Sequence, residues 1–299
     1  MLRSEGRHRG AADEQPWALL AFDHRERAFA SVRPLGMTRE QIGDAKGLIF
    51  DAFTVAVERG LEGLRPGILV DEEFGAPIAR RAAGAGHAIT MPVERAFEQV
   101  FVFEYGADYQ QHVLAFRPTY AKALVKHRTT DPVEDKQTQL ARLRALSDFL
   151  AERSIGFMLE LIVGQVNETA DSIPTVDLEQ LCGSMAEMQS AGIQVDLWKI
   201  EGIASPDAAA RVAQQAAAGR HPGTCVVLGN GAAGDVLDRW LDVAAATPGF
   251  NGFAIGRSIW GAPVAGWLDG RLGRDDAIES IASTYTSCAR RYLGAMIGG

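Results

Sequence analysis

The chain has 299 residues, of which 47% are hydrophobic and 8% aromatic, and its formal net charge is −8. This length and composition allow a large buried core. The sequence contains no basic stripe, which argues against nucleic acid and against an anionic membrane surface as partners. An anionic small-molecule ligand would therefore need a local positive site inside an acidic protein.

The start of the chain and the cysteines bear on where the protein works. The charged first residues lack the apolar run of a secretory signal, and we expect residues 1–15 to form a flexible tail. No apolar stretch approaches the roughly 20 residues needed to cross a bilayer. The three cysteines, Cys182, Cys225 and Cys288, have no CxxC spacing. They are typical of reduced thiols, which predicts a cytoplasmic protein.

From residue 17 onward, short apolar runs alternate with helical patterns. The predicted strands are WALLAF (17–22), GILVD (67–71), HAITMP (87–92), AKALVKH (121–127), GFMLELIV (156–163), QVDLWKI (194–200), GTCVVLG (223–229) and GFAIG (252–256). The predicted helices cover 38–60, 133–154, 177–192, 206–219, 234–247 and 274–296. Several of these helices begin at Thr, Asp or Pro and end at Gly. Residues 92–118 are the least regular and could hold a short helix or a lid.

The alternation of eight strands with helices predicts a parallel sheet, because parallel neighbours need a crossover connection. At about this chain length, eight such strands close on themselves. We therefore predict one catalytic domain over residues 16–299, a single (β/α)8 TIM barrel of the α/β class.

Barrel active sites form at the carboxyl ends of the strands, so polar residues at those ends are the candidates. Asp71, Glu72 and Glu73 could either cap a following helix or contact substrate hydroxyls. The candidates in strand order are Asp23, His24 and Arg25 on the first strand, Asp71, Glu72 and Glu73 on the second, Lys122 and Lys126 on the fourth, Glu160 on the fifth, Lys199 and Glu201 on the sixth, Gly229, Asn230 and Gly231 on the seventh, and Gly256 and Arg257 on the eighth.

Glu160 and Lys199 are the most informative of these residues. Both faces of a barrel strand are covered, so an unpaired charge there is costly. On neighbouring strands the two could simply form a buried structural ion pair. Alternatively, a lysine beside a second cation such as Lys122 loses proton affinity. Its neutral amine could then form a Schiff base with a ketone, with Glu160 moving the protons.

Seven segments carry a family resemblance. They are LLAFDHR, ILVDEEFG, AKALVKHR, MLELIV, DLWKIEG, VVLGNG and GFAIGRSIW, in this order, within residues 17–296. Together they resemble the DUF2090-like class I aldolase barrel that forms the C-terminal half of bifunctional inositol-catabolism proteins. They resemble tagatose-bisphosphate aldolase more distantly. The resemblance implies cleavage of 5-dehydro-2-deoxy-D-gluconate 6-phosphate to dihydroxyacetone phosphate and malonate semialdehyde, without a metal or other cofactor.

The same resemblance implies roles for individual residues. Lys199 would form the imine, Glu160 would be the acid and base, and Lys122 and Asp23 would bind and polarise substrate hydroxyls. The residues expected to contact the substrate or its phosphate are Gly229, Asn230, Gly231, Gly256, Arg257, His24 and Arg25. In that family Gly-Arg-Gly is more usual than the Gly-Asn-Gly of this chain. Whether the anion is a phosphate or a sulfonate therefore stays open.

Other interpretations also stay open. Gly229, Gly231 and Gly234 match a strand–GxGxxG–helix pattern, and Arg257 would suit the 2′-phosphate of NADP. Phosphate sites after the seventh and eighth barrel strands explain the same glycines. The protein could also act on another ketose, as an aldolase or transaldolase, or be a non-catalytic sugar-phosphate-binding barrel. Scattered histidines argue against a metal site. We expect a phosphorylated keto-sugar acid as the partner, no nucleic acid, no membrane, and association into a homo-oligomer.

Overall fold

The computed structural model describes residues 15–26, 29, 32, 36–166 and 173–298. Eight parallel strands close into a barrel, and two short strands form a separate antiparallel pair after the fifth. The strands are β1 (Trp17–Ala21), β2 (Arg65–Leu69), β3 (Ala88–Pro92), β4 (Tyr120–Lys126), β5 (Gly156–Ile162), β6 (Gln165–Val166), β7 (Thr175–Val176), β8 (Leu197–Ile200), β9 (Thr224–Leu228) and β10 (Phe250–Ile255). The order around the barrel is β1-β10-β9-β8-β5-β4-β3-β2. The predicted TIM barrel is confirmed, and each predicted strand overlaps one barrel strand.

Helices follow the strands and cover the outside of the barrel. They are α1 (Arg39–Glu58), α2 (Glu72–Gly84), α3 (Tyr109–Phe116), α4 (Val133–Arg153), α5 (Leu178–Ser190), α6 (Pro206–Ala217), α7 (Asp235–Ala246), α8 (Arg257–Leu268) and α9 (Arg274–Gly298). Helix α3 is the short helix expected within residues 92–118. Helices α2 and α8 are not among the predicted segments, whereas the other six match them. Side-chain caps at Thr38, Asp177 and Ser205 fix three of the predicted helix starts.

Side-chain alternation divides each barrel strand between an inner and an outer face. Inside the barrel, an apolar layer lies below the carboxyl ends of the strands and consists of Trp17, Leu19, Met158, Leu197, Val226 and Ala254. Outward side chains such as Trp198 pack in the core beneath the helices. The side chains at the next inward positions, nearer the carboxyl ends of the strands, therefore rest on an apolar layer.

The barrel closes where β1 pairs with β10, and two tyrosine hydroxyl groups of α9 stabilise this junction. Tyr285 of α9 donates a 2.7 Å hydrogen bond to the carbonyl of Ala18. Tyr292, also on α9, accepts a 2.9 Å hydrogen bond from the backbone N–H of Gly252. Helix α9 thus binds the first and last barrel strands together.

The acidic run after β2 has a structural role. Asp71 is buried, pairs with the buried ammonium of Lys46, and caps α2 by accepting from the N–H of Phe74 at 2.9 Å. Glu72 contacts His112 at 2.9 Å and Glu73 contacts the guanidinium of Arg39 at 2.6 Å. Asp71 therefore caps α2, as one of the two alternatives expected, while Glu72 and Glu73 pair with other side chains, and substrate contact by this run stays a prediction.

Residues 1–14, almost all of the expected tail, lie outside the described residues, and the boundary at residue 16 stays a prediction. Over the described ranges, no helix combines the length and apolar character needed to span a bilayer. The three cysteines are free and buried.

Candidate active site

A cavity of about 370 Å³ opens at the carboxyl ends of the barrel strands. Every residue to which the family resemblance gives a role lines this cavity: Asp23, His24, Arg25, Lys122, Glu160, Lys199, Gly229, Asn230, Gly231, Gly256 and Arg257. They come from the ends of β1, β4, β5, β8, β9 and β10, so the closed barrel brings together residues that are far apart in the chain.

Glu160 and Lys199 lie directly opposite each other on β5 and β8, as Cα partners in the parallel register. Both side chains are buried, and Lys199 Nζ is 2.9 Å from Glu160 Oε2. The pairing expected from strand alternation is therefore present. An amine with a carboxylate at this distance has an adjacent group that can take up or return its proton.

Lys122 on β4 lies at the centre of a cluster of carboxylates. Its Nζ atom is 2.9 Å from Asp23 Oδ2, 2.9 Å from Glu94 Oε1 and 2.7 Å from Glu160 Oε2. Lys122 Nζ donates hydrogen bonds to Asp23 and Glu94 and forms an ion pair with Glu160, so three carboxylates surround it. Burial alone would lower the pKa of Lys122, but these carboxylates raise it well above its ordinary value.

This geometry corrects one part of the sequence-based argument. Lys122 is not an unbalanced cation acting on Lys199, because three carboxylates surround it and it shares Glu160 Oε2 with Lys199. With all five groups ionised, two lysines and three carboxylates give the cluster a charge of −1. Uptake of one proton would therefore make the cluster neutral.

The three carboxyl groups differ in proton affinity. Burial would raise the pKa of Asp23, but Lys122, Lys199 and His24 outweigh it and hold the pKa well below its usual range. Burial also opposes ionisation of Glu160, yet Lys122 and Lys199 lower its pKa. For Glu94, burial prevails over Lys122 and Arg25, and its pKa is raised. Glu94 is thus the carboxyl group of the cluster that accepts a proton most readily.

Glu94 was missed by the sequence analysis, although the sequence contains a signal for it. Glu94 follows the last residue of β3 by two positions, as Asp23 follows the last residue of β1. Two residues is one repeat of the strand alternation, so both side chains continue the inward-facing row. The irregular pattern of residues 92–118 hides this correspondence between Glu94 and Asp23.

Arg25 lines the cavity, but its guanidinium is engaged by the segment that carries Glu94. Nη1 donates to the carbonyl of Glu94 at 3.0 Å and to Glu104 Oε2 at 2.5 Å. An antiparallel bridge between Glu94 and Phe103 closes this segment on itself. Arg25 therefore holds the loop after β3 over the barrel mouth, and direct substrate binding by Arg25 stays a prediction.

His24 packs edge-on against Trp260, with ring centroids 5.1 Å apart. Burial lowers the pKa of His24 to about 3, and the neighbouring Asp23 carboxylate offsets this only in part. Its Nδ1 atom is buried without a hydrogen-bond partner among the described residues. A neutral imidazole in this position can exchange a hydrogen bond with a ligand hydroxyl.

The opposite side of the cavity is suited to an anion. Gly256 precedes α8, and a Cβ atom there would come within 2.4 Å of the Ala21 carbonyl. The first turn of α8 carries Arg257 and no acidic residue. Helix N-termini leave backbone N–H groups unpaired and favour negative charge, so α8 and its arginine form the positive end of the site.

The Gly229–Gly234 segment completes that side. Asn230 and Gly231 both have left-handed backbone, with φ of 46° and 77°, and nothing stands within 4 Å of the position of a Cβ on Gly231. The segment follows β9 of a closed barrel, so the Rossmann context of the GxGxxG interpretation is wrong. Helix α7 has Asp235 and Asp238 in its first turn, which disfavours an anion at its own N-terminus.

A second cavity of about 450 Å³ adjoins the first and shares Lys126 and Ile162 with it. The Lys126 side chain makes no hydrogen bond or ion pair with the described residues. Arg128 is paired with Asp177 at 2.9 Å, and the His127 ring is buried against Glu187 at 2.8 Å. Lys126 is therefore the cation that remains available where the two cavities meet.

Two further observations concern Glu201 and the possibility of a metal site. Glu201 accepts hydrogen bonds from the N–H groups of Val163 and Gly164 at 2.9 and 2.8 Å, so it holds the loop after β5. Across the described part of the chain, no three His, Cys, Asp or Glu side chains are arranged to hold a metal ion.

Comparison with known proteins identifies one matching family. The model of a family described as "Uncharacterized protein conserved in bacteria (DUF2090)" matches residues 5–293. No curated protein sequence matches the chain.

Solved structures with the same fold include several aldolases. Fructose-bisphosphate aldolase from Plasmodium falciparum superposes with a TM-score of 0.67 at 13% identity, covering 96% of this chain and 93% of that one. An archaeal fructose 1,6-bisphosphate aldolase gives a TM-score of 0.58 at 13% identity, covering 96% of both chains. A Schiff base-forming fructose-1,6-bisphosphate aldolase gives 0.53 at 12% identity, covering 88% of this chain and 96% of that one. At these identities the likeness establishes the fold.

Proposed function

The chain belongs to the DUF2090 family, and from this starting point we propose that it is a class I aldolase, with Lys199 as the amine that forms a Schiff base. The observation that carries the proposal is the buried Lys199–Glu160 pair, 2.9 Å apart, in a cavity whose far side has a helix N-terminus and Arg257. The fold shared with aldolases, one of them described as Schiff base-forming, is consistent with this chemistry.

The pair supplies what imine formation requires. Lys199 transfers a proton to Glu160, and the neutral amine attacks the ketone carbon of the substrate. As the C–N bond forms, a second proton passes from the nitrogen to the former carbonyl oxygen and gives the carbinolamine. Glu160 then returns its proton to that hydroxyl, and the C–O bond breaks to release water and leave the iminium. The resulting iminium withdraws electrons from the neighbouring carbon–carbon bond, and that bond breaks to give an aldehyde and an enamine.

The proposed substrate is a phosphorylated keto-sugar acid, with 5-dehydro-2-deoxy-D-gluconate 6-phosphate as the specific candidate from the sequence resemblance. The phosphate would be held by the Gly229–Gly231 loop, Gly256 and Arg257, and the ketone would lie at Lys199. Cleavage would release malonate semialdehyde and leave dihydroxyacetone phosphate on the enzyme as the enamine.

Trapping the imine tests the chemistry. We expect borohydride reduction in the presence of dihydroxyacetone phosphate to add a stable mass to Lys199. The chain has only five lysines, at positions 46, 122, 126, 136 and 199, so peptide mapping assigns the adduct directly. Lys199→Met should abolish labelling, and Lys136→Met should retain it. An unlabelled wild-type protein, or an adduct that persists in Lys199→Met, refutes the assignment.

Measuring kcat/KM tests the substrate separately. The inositol-pathway acid, tagatose bisphosphate and a phosphorylated sulfofructose should be compared on the same preparation. A clear preference for either of the last two would keep the imine chemistry and change the substrate. Binding of sugar phosphates without turnover or imine would instead identify a non-catalytic sugar-phosphate-binding barrel.

A further inference from the structure

Glu94 has a feature that neither the fold nor the imine chemistry explains. Its side chain is buried, and its Oε1 atom contacts Lys122 at 2.9 Å. Its other oxygen, Oε2, is also buried and has no hydrogen-bond partner among the described residues. A buried polar atom without a partner costs free energy. Because Glu94 lines the mouth cavity, a ligand hydroxyl could supply the missing donor.

The other carboxylates of the cluster are committed elsewhere. Glu160 Oε2 also lacks a hydrogen-bond partner among the described residues, but it lies within ion-pair distance of both Lys122 and Lys199, and Glu160 is needed at the imine nitrogen. Asp23 pairs with Lys122 through Oδ2 and is the most strongly ionised of the three. Glu94 contacts a single lysine, and Arg25 fixes its backbone from the other side.

We infer that Glu94 is the catalytic residue that accepts the proton of the substrate hydroxyl when the carbon–carbon bond breaks. The inference rests on the proposed function and adds a second acid–base group to it. The raised pKa of Glu94 agrees with this task, because a general base works best when its pKa is near the operating pH.

The step can be written so that atoms and electrons balance. The hydroxyl on the carbon β to the iminium gives its proton to Glu94 Oε2. The electron pair of that O–H bond forms the C=O of the departing aldehyde. The bond between the α and β carbons breaks, and its electron pair moves to the iminium, which becomes a neutral enamine. In the condensation direction, Glu94 returns the same proton to the new alkoxide.

Glu94→Gln separates this step from imine formation. Glutamine keeps an oxygen for Lys122 but cannot take up a proton. We expect the cleavage kcat to fall about 100-fold, the lower end of what general acid–base catalysis supplies. Borohydride labelling of Lys199 with dihydroxyacetone phosphate should persist, as should solvent exchange of the α-hydrogen of bound dihydroxyacetone phosphate, because neither involves the β hydroxyl.

The pH profile gives a second readout. Asp23 and Glu160 have lowered pKa values and stay ionised as the pH falls, whereas Glu94 is protonated first. Cleavage by the wild type should therefore decline on the acid side as Glu94 takes up a proton. Neighbouring Lys122 and Arg25 are cationic throughout this range, and Glu104 faces Arg25. Glu94→Asp should keep an acid limb, and Glu94→Gln should lose it.

The outcomes separate the two proposals. If the wild type forms no imine, the proposed function is wrong. If the wild type forms the imine and Glu94→Gln cleaves at the wild-type rate, only the role of Glu94 is wrong. If Glu94→Gln loses labelling together with cleavage while retaining the wild-type circular dichroism spectrum, Glu94 acts on the imine and not on the hydroxyl, which also overturns the inference.

Discussion

At the scale of single residues, the candidate site depends on how two lysines share three carboxylates. Glu160 Oε2 lies between Lys122 and Lys199, at 2.7 and 2.9 Å, so one carboxylate fixes both ammonium groups. Lys122 is surrounded by three carboxylates, whereas Lys199 has this carboxylate as its ion-pair partner. The two lysines therefore differ in what they can do, although both are buried at strand ends.

Lys126 offers a test of substrate class at this scale. We expect Lys126→Met to lower kcat/KM about tenfold for condensation of dihydroxyacetone phosphate with an acidic aldehyde such as malonate semialdehyde. The loss corresponds to about 1.4 kcal/mol, one charge-assisted contact in a partly exposed position. Propanal, which carries no charge, should react at the wild-type rate, and assays of both aldehydes measure the difference.

Lys136→Met is the matched control for that variant. Lys136 lines the neighbouring cavity but is paired with Glu187 at 2.7 Å, so we expect no selective effect on the acidic aldehyde. Equal losses for both aldehydes in Lys126→Met would show that Lys126 does not bind the carboxylate.

Strand alternation is enough to predict most of the site residues from the sequence. Lys199, Glu160, Lys122 and Asp23 each follow or interrupt an apolar run, and a charge in that setting is conspicuous. The sequence does not predict which groups pair, because the partners of Lys122 come from three different strand ends as far as 99 residues away. Glu94 was missed for a different reason, since its strand end merges with an irregular loop.

At the scale of secondary-structure elements, the buried Lys46–Asp71 pair links α1 to the start of α2. Lys46→Met would leave Asp71 buried and unpaired. We expect a loss of about 3–5 kcal/mol in the free energy of unfolding, measured by urea denaturation. Lys46→Met combined with Asp71→Asn should recover part of this loss, because asparagine is neutral and can still cap α2.

An exposed ion pair that also involves α1 provides the control for this experiment. Arg59 and Glu279 join α1 to α9 at 2.6 Å on the surface. Arg59→Ala should leave the urea midpoint nearly unchanged, because solvent screens exposed pairs. If the two single variants behave alike, burial does not set the strength of the Lys46–Asp71 pair.

The two helices that the sequence patterns do not predict both contain a proline in their interior. Helices α2 and α8 contain Pro77 and Pro263 in their interiors, and proline removes a backbone donor and clashes with the preceding turn. Local propensity therefore argues against both helices. They form because packing on the barrel compensates for the lost hydrogen bond, which is a tertiary effect that local sequence does not report.

At the scale of the whole molecule, closure of the barrel depends on α9. Tyr292→Phe would leave the buried N–H of Gly252 without its acceptor, at a cost of about 1–3 kcal/mol. We expect a lower urea midpoint with an unchanged slope. Tyr109→Phe is the control, since among the described residues its hydroxyl accepts one hydrogen bond, an exposed one from Gln110. Equal midpoints for the two variants would argue against a role for Tyr292 in closure.

Gly252 explains why this junction needs a glycine. Its φ is +114°, and a Cβ atom would lie 2.0 Å from the carbonyl oxygen of Trp17. The register of β10 against β9 shifts between Phe250 and Phe253, so the last strand bends where it meets the first. The alternation of strands and helices predicts eight parallel strands, but the tyrosine contacts that secure their closure become visible only in three dimensions.

The order of the cluster along the chain has a consequence for synthesis. Asp23, Glu94, Lys122 and Glu160 all precede Lys199. A nascent polypeptide therefore carries the acidic groups and their central cation out of the ribosome before the nucleophile is made. The amine proposed to bond covalently with ketones thus enters a growing chain that already contains its counter-ion.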